Sequence, residues 1–262
     1  MGDVKNVYAA EPTASGCIFA APLGTPGPAM PNPFAALHPA YVDLGDVGED
    51  GFNEVTDRSI ERKRNFGGKV VKVLQTEFGK TIELVFLESL NANVLKAIHG
   101  DSNVTVVAAN SAHGEIVETR KNAKRLPHMR WVVDTIDSSL GTSGNPAKFR
   151  DYIPDGQIVE TGDVKKVHSD TIEYAVTIEA FEDENGEHMY SWSDNGRLIV
   201  PAPAVWAAET DYAGGVYVTL PTGEELKATL GGESGLTAPT APGLGNQVID
   251  GTVVWLQVSA SD

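Results

Sequence analysis

The clearest alternation of apolar and polar positions lies between Asn65 and Gly100, NFGGKVVKVLQTEFGKTIELVFLESLNANVLKAIHG. Lys69 to Phe78 and Thr81 to Glu88 are rich in Val, Ile, Leu and Phe, and the Gly79-Lys80 pair between them predicts a two-residue β-hairpin turn. In the second run Ile82, Leu84 and Phe86 alternate with Glu83 and Val85, so one face is set to pack and the other to meet solvent or a partner. Ser89 is then the expected N-cap of a short helix with Leu90, Val94, Leu95 and Ile98 as its apolar stripe and Gly100 as its stop.

Further strand-like runs follow at Val104 to Ala109, Glu115 to Arg120, Arg130 to Ile136, Gln157 to Val167 and Thr171 to Phe181. The last alternates Ile172, Tyr174, Val176 and Ile178 with Thr171, Glu173, Ala175 and Thr177. Asp137 to Pro146 reads as a loop by composition, and Glu184-Asn185-Gly186 as the turn of a last hairpin. Many antiparallel strands with one helix predict a mainly β fold, two packed sheets or a barrel with one flanking helix. A boundary is expected at Pro201 to Pro203, dividing residues 1–200 from a glycine-rich β module at 201–262. That module offers three strand candidates, Val216 to Leu220, Glu224 to Leu230 and Val248 to Val258. About 60 residues make a marginal core, which assigns Trp206, Tyr212, Tyr217 and Trp255 to packing first.

Residues 11–40 depart from this texture. They are proline-rich yet carry Phe19, Leu23, Met30, Phe34 and Leu37, which is too apolar for a solvated tail. Proline disfavours helix, so the segment is expected to be an extended arm lying on another subunit. Its deletion, residues 11 to 39, is expected to leave folded monomers that cannot polymerise. Tyr41 to Gly51 reads as a short strand and an acidic turn whose ligand spacing breaks the calcium-loop pattern at Gly48. Phe52 to Arg64, with Asp57, Arg58, Arg62 and Arg64 among its mixed charges, reads as a solvated or intersubunit loop.

Charge and composition narrow the function. The 262 residues carry a formal net charge of -16, which argues against ordinary nucleic-acid binding. Against that background Arg120 to Arg130 is a basic island, with Arg120, Lys121 and Arg125, that reads equally as a solvated loop or as a patch for an acidic neighbouring copy. The single cysteine, Cys17, allows no intrachain disulfide, and no uncharged run approaches the roughly 20 residues of a membrane span. No export signal is recognisable at the N-terminus, so folding in the reducing cytoplasm is expected.

Catalytic patterns are missing. Gly232-Glu233-Ser234-Gly235 breaks the nucleophile-elbow spacing, the six histidines are scattered without a metal-binding spacing, and Gly67-Gly68-Lys69 lacks the frame of a phosphate loop. The expectation is a chain that is not an enzyme, with no catalytic, cofactor-binding or metal-binding residues.

Several segments together resemble a known family. YAAEPTASGCIFAAPLGT, LGDVGEDGFNEVTDRS, FGGKVVKVLQTEF, ESLNANVLKAIHG, WVVDTIDS, FRDYIPDGQIVETGDV and TIEYAVTIEAF occur in order over residues 7 to 200. In this the chain is similar to the major tail proteins, or tail tube subunits, of long-tailed bacteriophages infecting actinobacteria. The resemblance implies a tail-tube-type β-sandwich or barrel with one flanking helix, hexameric rings stacked into a hollow tube, and DNA passing through the lumen without specific binding. Tape measure and tail-terminator or tail-tip proteins are the partners it implies, and it carries no catalytic residue.

Phe19, Leu23, Phe34, Asp57, Arg58, Arg62, Arg64, Arg120, Lys121 and Arg125 are the candidate interface residues. AVWAAETDYAGG, ESG and DGTVVW in the C-terminal module resemble chitin-type carbohydrate-binding modules. The alternative function is therefore a carbohydrate-binding or adhesion virion protein acting through Trp206, Tyr212 and Trp255.

Overall fold

The structure, a computed structural model, describes residues 3–14, 16–29, 32–142, 144–197 and 204–259. The chain divides into two compact units, Met1–Leu198 and Ile199–Asp262. Met30 and the boundary expected at Pro201 to Pro203 lie outside the described residues.

The first unit contains β1 (Glu11–Pro12), β2 (Ile18–Pro22), β3 (Val42–Asp43), β4 (Asn53–Arg64), β5 (Val70–Phe86), α1 (Ala92–His99), β6 (Val104–Val107), β7 (Ile116–Thr119), β8 (Met129–Thr142), β9 (Asn145–Thr161), β10 (Tyr174–Ala180) and β11 (Tyr190–Asp194). Nine of these form one antiparallel sheet in the order β3-β2-β8-β9-β10-β5-β4, with β1 added to β8 and β11 to β9. The expected mainly β architecture with one short helix is what the chain adopts.

Long strands fold where the alternation is strong. On β10, Val176, Ile178 and Ala180 are buried, and they pair with Leu84, Ile82 and Lys80 of β5. These face a core that also holds Ile18, Ala20, Trp131, Val133, Ile153 and Ile158. The segment after β3 binds both ends of this array: Leu44 N–H donates to Ile18 O, Gly48 N–H to Val85 O, and Leu87 N–H to Asp46 O. The sheet is thus curled part-way round its own core, and Val94, Ala97 and Ile98 of α1 join that core.

Four sequence expectations fail here for identifiable reasons. No turn forms at Gly79-Lys80, because β5 runs unbroken through it with Gly79 opposite Asp57 of β4. The hairpin instead turns at residues 65–69, where the Asn65 side chain accepts from Lys69 N–H at 2.9 Å and Gly68 supplies φ +82°. Phe52 to Arg64 is accordingly not a loop, since almost all of it is strand β4. Asn91, not Ser89, caps α1 by accepting from Asn93 N–H at 2.9 Å, which leaves Leu90 87% exposed and off the apolar stripe.

The region 137–146 is likewise strand, because β8 and β9 continue toward each other until Thr142 pairs with Asn145. The Glu184-Asn185-Gly186 turn forms, with Gly186 at φ +77°, yet it closes no hairpin. β11 pairs with residues 148–152 of β9, alongside the stretch that takes β10, so β9 organises both.

The described part of residues 11–40 packs against its own chain and does not stand off as an arm. Ile18–Pro22 is strand β2, inside the sheet between β3 and β8, with Ile18, Ala20 and Ala21 buried. The part that follows covers the outer face of the sheet, where Leu37 packs with Phe19, Tyr41, Val132 and Tyr152. Arg150 holds it down by donating to Ala35 O at 2.7 Å, and Lys148 sits 5.6 Å from the Phe34 ring centroid. Under this cover Arg150 makes a bidentate pair with Asp134, both contacts at 2.6 Å, and Lys148 reaches Asp134 at 3.0 Å. Deleting residues 11 to 39 therefore removes an interior strand and uncovers a buried ion pair, so the expected folded monomer does not follow. Proline density in this segment reflects packing without regular backbone pairing.

The second unit contains β12 (Ala204–Val205), β13 (Asp211–Tyr212), β14 (Tyr217–Thr219), β15 (Glu225–Leu230), β16 (Gly232–Glu233), β17 (Gln247–Asp250) and β18 (Val253–Val258). Five of them form the sheet β12-β14-β15-β18-β17, and β13 pairs with β16. The single strand expected at Val248 to Val258 is two strands, turned at Gly251 with φ +63°. Asp250 ties the module together, accepting from Trp206 Nε1 at 2.8 Å, Trp255 Nε1 at 3.2 Å and Gly235 N–H at 2.8 Å.

A candidate assembly surface

Two strands set the character of the exposed surface. Residues 80–86 of β5 are flanked by β10 and β4, whereas residues 70–79 have β4 alone for a neighbour. The outer part of the β4–β5 hairpin is therefore a two-stranded ribbon that leaves the body of the sheet. Its apolar residues stay in water: Ile60, Val71 and Val73 are exposed, and Phe66 at the turn is 111% exposed. An isolated two-stranded ribbon with its apolar side chains in water is marginal by itself.

The ribbon is also basic. From residue 58 to 72 it carries Arg58, Arg62, Lys63, Arg64, Lys69 and Lys72 against the single carboxylate of Glu61. Its root is fastened to the sheet. Arg58 lies 5.2 Å from the Phe78 ring centroid, and Phe78 meets His188 edge-on at 5.0 Å. Lys80 bonds Glu54 and, at 2.8 Å, Thr56.

β4 is a terminal strand, and among the described residues only β5 pairs with it along its 12 residues. The other end of the sheet is closed by β3, which is two residues long. A long edge with unpaired backbone donors and acceptors is a template for another chain, and the charges on β4 restrain it from pairing indiscriminately.

Beside the root of the hairpin the outer face of the sheet forms an acidic groove of about 1020 Å³. Asn53, Glu83, Thr177 and Glu160 line up across β4, β5, β10 and β9, and the 48–52 loop brings Glu49 and Asp50 to the rim. Among the described residues no Lys or Arg lines it. On the opposite face, beneath the 46–52 loop, a second cavity of about 590 Å³ has Ile82, Val133 and Asp151 in its wall. Burial raises the Asp151 carboxyl to about 6, helped by nearby Glu54 and resisted by the Ser191 hydroxyl that donates to it. Burial, with Asp43 and Asp46 nearby, also raises Cys17 to about 11, so its thiol is unreactive at neutral pH.

The ten candidate interface residues are not brought into one place. Asp57, Arg58, Arg62 and Arg64 share β4. Phe19 is half-buried in the outer-face cluster, and Leu23 and Phe34, each 40% exposed, belong to the segment laid over that face. Arg120, Lys121 and Arg125 lie in the loop between β7 and β8. There Arg120 N–H donates to Asn103 O at 2.8 Å, and burial, with the nearby Lys121 charge, holds the His99 imidazole below its ordinary value.

Sequence reasoning missed Ile60, Phe66, Val71 and Val73, the apolar part of the ribbon. The signal available was the Asn65-Phe66-Gly67-Gly68 tip between two basic stretches. In the C-terminal module Trp206 and Tyr212 are half-buried, but Trp255 is 0% exposed and packs its ring in the core, so it offers no face to a glycan.

The chain is a mainly β protein with a curled sheet, an open edge strand, a projecting basic ribbon and an acidic outer groove. The phage tail tube protein family model matches residues 8–205, and the chain belongs to that family. It is a structural, non-enzymatic component of the phage tail and thus of the virion, and tail tube proteins oligomerise into the tube. No curated protein matches the chain.

Proposed function

We propose that six copies of this chain close into a ring and that the rings stack into a hollow tail tube through which DNA passes into the host. The observation that carries this reading is the 12-residue β4 edge, exposed and unpaired on one side. Ring closure satisfies such an edge by giving every copy the same neighbour, and it leaves no free template around the circumference. The chain's net charge of -16 suits a conduit, because a carboxylate-lined lumen repels the phosphate backbone within a Debye length of about 8 Å.

In this reading residues 1–200 form the tube domain, and residues 201–262 form a small β module on its exterior. The tape measure protein occupies the lumen before DNA does, and terminator or tip proteins cap the tube ends. An actinobacterial host, and a carbohydrate-binding ancestry for the module, rest on the sequence resemblances alone.

Negative-stain microscopy of the purified, concentrated chain tests the proposal. Stacked rings or long hollow tubes are expected. Solitary, monodisperse particles under tail-assembly conditions overturn it.

A further inference from the structure

The basic ribbon and the acidic groove are complementary features of one chain. The groove presents Glu49, Asp50, Glu83, Glu160 and Glu173 with no cation in its lining, and among the described residues none of these five carboxylates makes an ion pair. The ribbon presents six cations against one carboxylate, with Phe66 fully exposed at its tip. The groove also has apolar surface for an aromatic side chain, since Phe52, Val85 and Ala175, none of them fully buried, contribute to its lining.

Within one chain the two cannot meet. The groove lies at the hairpin's root, around Asn53 and Glu83, and the tip lies at residues 65–69, so a straight two-stranded ribbon separates them. At about 3.3 Å per residue, the 12 residues of β4 carry the tip on the order of 40 Å from the root.

We propose that the hairpin tip of one copy docks in the acidic groove of the next, with Phe66 seated among the groove's apolar side chains and Arg62, Lys63, Arg64 and Lys69 facing its carboxylates. This rests on the tube reading and adds to it which two surfaces join successive copies. The contact is heterologous, tip into groove, so it propagates copy to copy and gives the assembly a direction. Opposed charges steer the approach and fix the register, while burial of Phe66 supplies the apolar contact. Because the charges are on the rim, added salt weakens the contact.

Two experiments test it. In the first, Glu83→Lys with Glu160→Lys reverses the groove, and Arg62→Glu with Arg64→Glu reverses the tip. Each pair alone is expected to raise the concentration needed for assembly by about tenfold or more, and the chain carrying all four changes is expected to recover much of that loss. In the second, Phe66→Cys and Thr177→Cys are introduced together in a Cys17→Ala background and the protein is oxidised under assembly conditions. A ladder of covalent multimers on a denaturing gel is expected, and neither cysteine alone should give more than dimers.

Wild-type protein that never assembles overturns the tube reading and this inference together. Wild-type tubes with no ladder, or with equally good tubes from both reversed variants, overturn this inference and leave the tube reading standing. A chain with all four reversals that assembles no better than its parents has the same effect. The ladder reports the contact even where a reversed variant fails to fold.

Discussion

Strand β5 joins two regions that the same kind of sequence built for different ends. In residues 80–86 the alternate side chains Ile82, Leu84 and Phe86 are 3%, 5% and 0% exposed, between β10 and the rest of the core. In residues 70–78 the apolar side chains Val71 and Val73 are 62% and 54% exposed, although the residue types are no less suited to a strand. Nothing in strand propensity separates the halves. What separates them is the number of neighbours: the inner half is covered on its packed face, whereas the outer half has one partner strand and, apart from Phe78 against His188, lies largely in water. In the proposed assembly this ribbon is the part that another copy covers.

That comparison can be broken first where burial is deepest. Phe86→Ala is expected to cost about 3–5 kcal/mol of unfolding free energy, read from urea melts of the monomer, because the site is closed on all sides and relaxes poorly. Asp134→Ala should cost a similar 3–5 kcal/mol, since it strands the buried Arg150 guanidinium without its bidentate partner. Replacing both partners by apolar residues should cost much less, which distinguishes an orphaned charge from a merely lost contact.

Asp151 gives a smaller and pH-dependent effect. Its folded-state value, about 6, lies above the ordinary 3.8, so the native protein holds this proton more tightly than the unfolded chain does. Stability from this group is full below about pH 4 and is lost as pH rises through about 6. Asp151→Asn is thus expected to stabilise the protein at pH 7 by about 2–3 kcal/mol, the equivalent of a shift of about two pH units. The variant and its parent should melt alike near pH 4; equal melting at pH 7 as well would show that the carboxyl is not strained by burial.

The smallest effect on folding belongs to the projecting half. Val73→Ser should change monomer stability by no more than about 0.5 kcal/mol, because the side chain is already in water. Light scattering during assembly should nevertheless show slower or weaker growth. An outer ribbon whose substitutions alter monomer stability as much as Phe86→Ala does would erase the distinction between the two halves.

Residue types and their spacing determined much of this protein. The period-two runs in β5 and β10, the helix face of Val94, Leu95 and Ile98, the stop at Gly100 and the turn at Gly186 are local, and a strand or helix stop depends mainly on neighbours a few residues away. The absence of any grouped chemistry in the sequence agreed with the family to which the chain belongs. The order of seven short segments over residues 7–200 carried the family resemblance, because order and type survive without knowledge of contacts.

Pairing was decided only in three dimensions. A glycine followed by a lysine is a good turn in isolation, but at Gly79 the opposing strand β4 supplied a full ladder of hydrogen bonds, and a straight strand left fewer backbone groups unsatisfied than a turn there would. The proline-rich segment gave up its place as an arm for the same reason, since β8 had an edge to fill and Ile18–Pro22 filled it. Likewise the basic ribbon and the acidic groove are scattered letters in the chain, at positions 58–72 and at 49, 50, 83, 160 and 173. Only the register across β4, β5, β10 and β9 gathers those carboxylates from distant positions, because electrostatic and apolar contacts depend on distance in space and the sequence records only distance along the backbone.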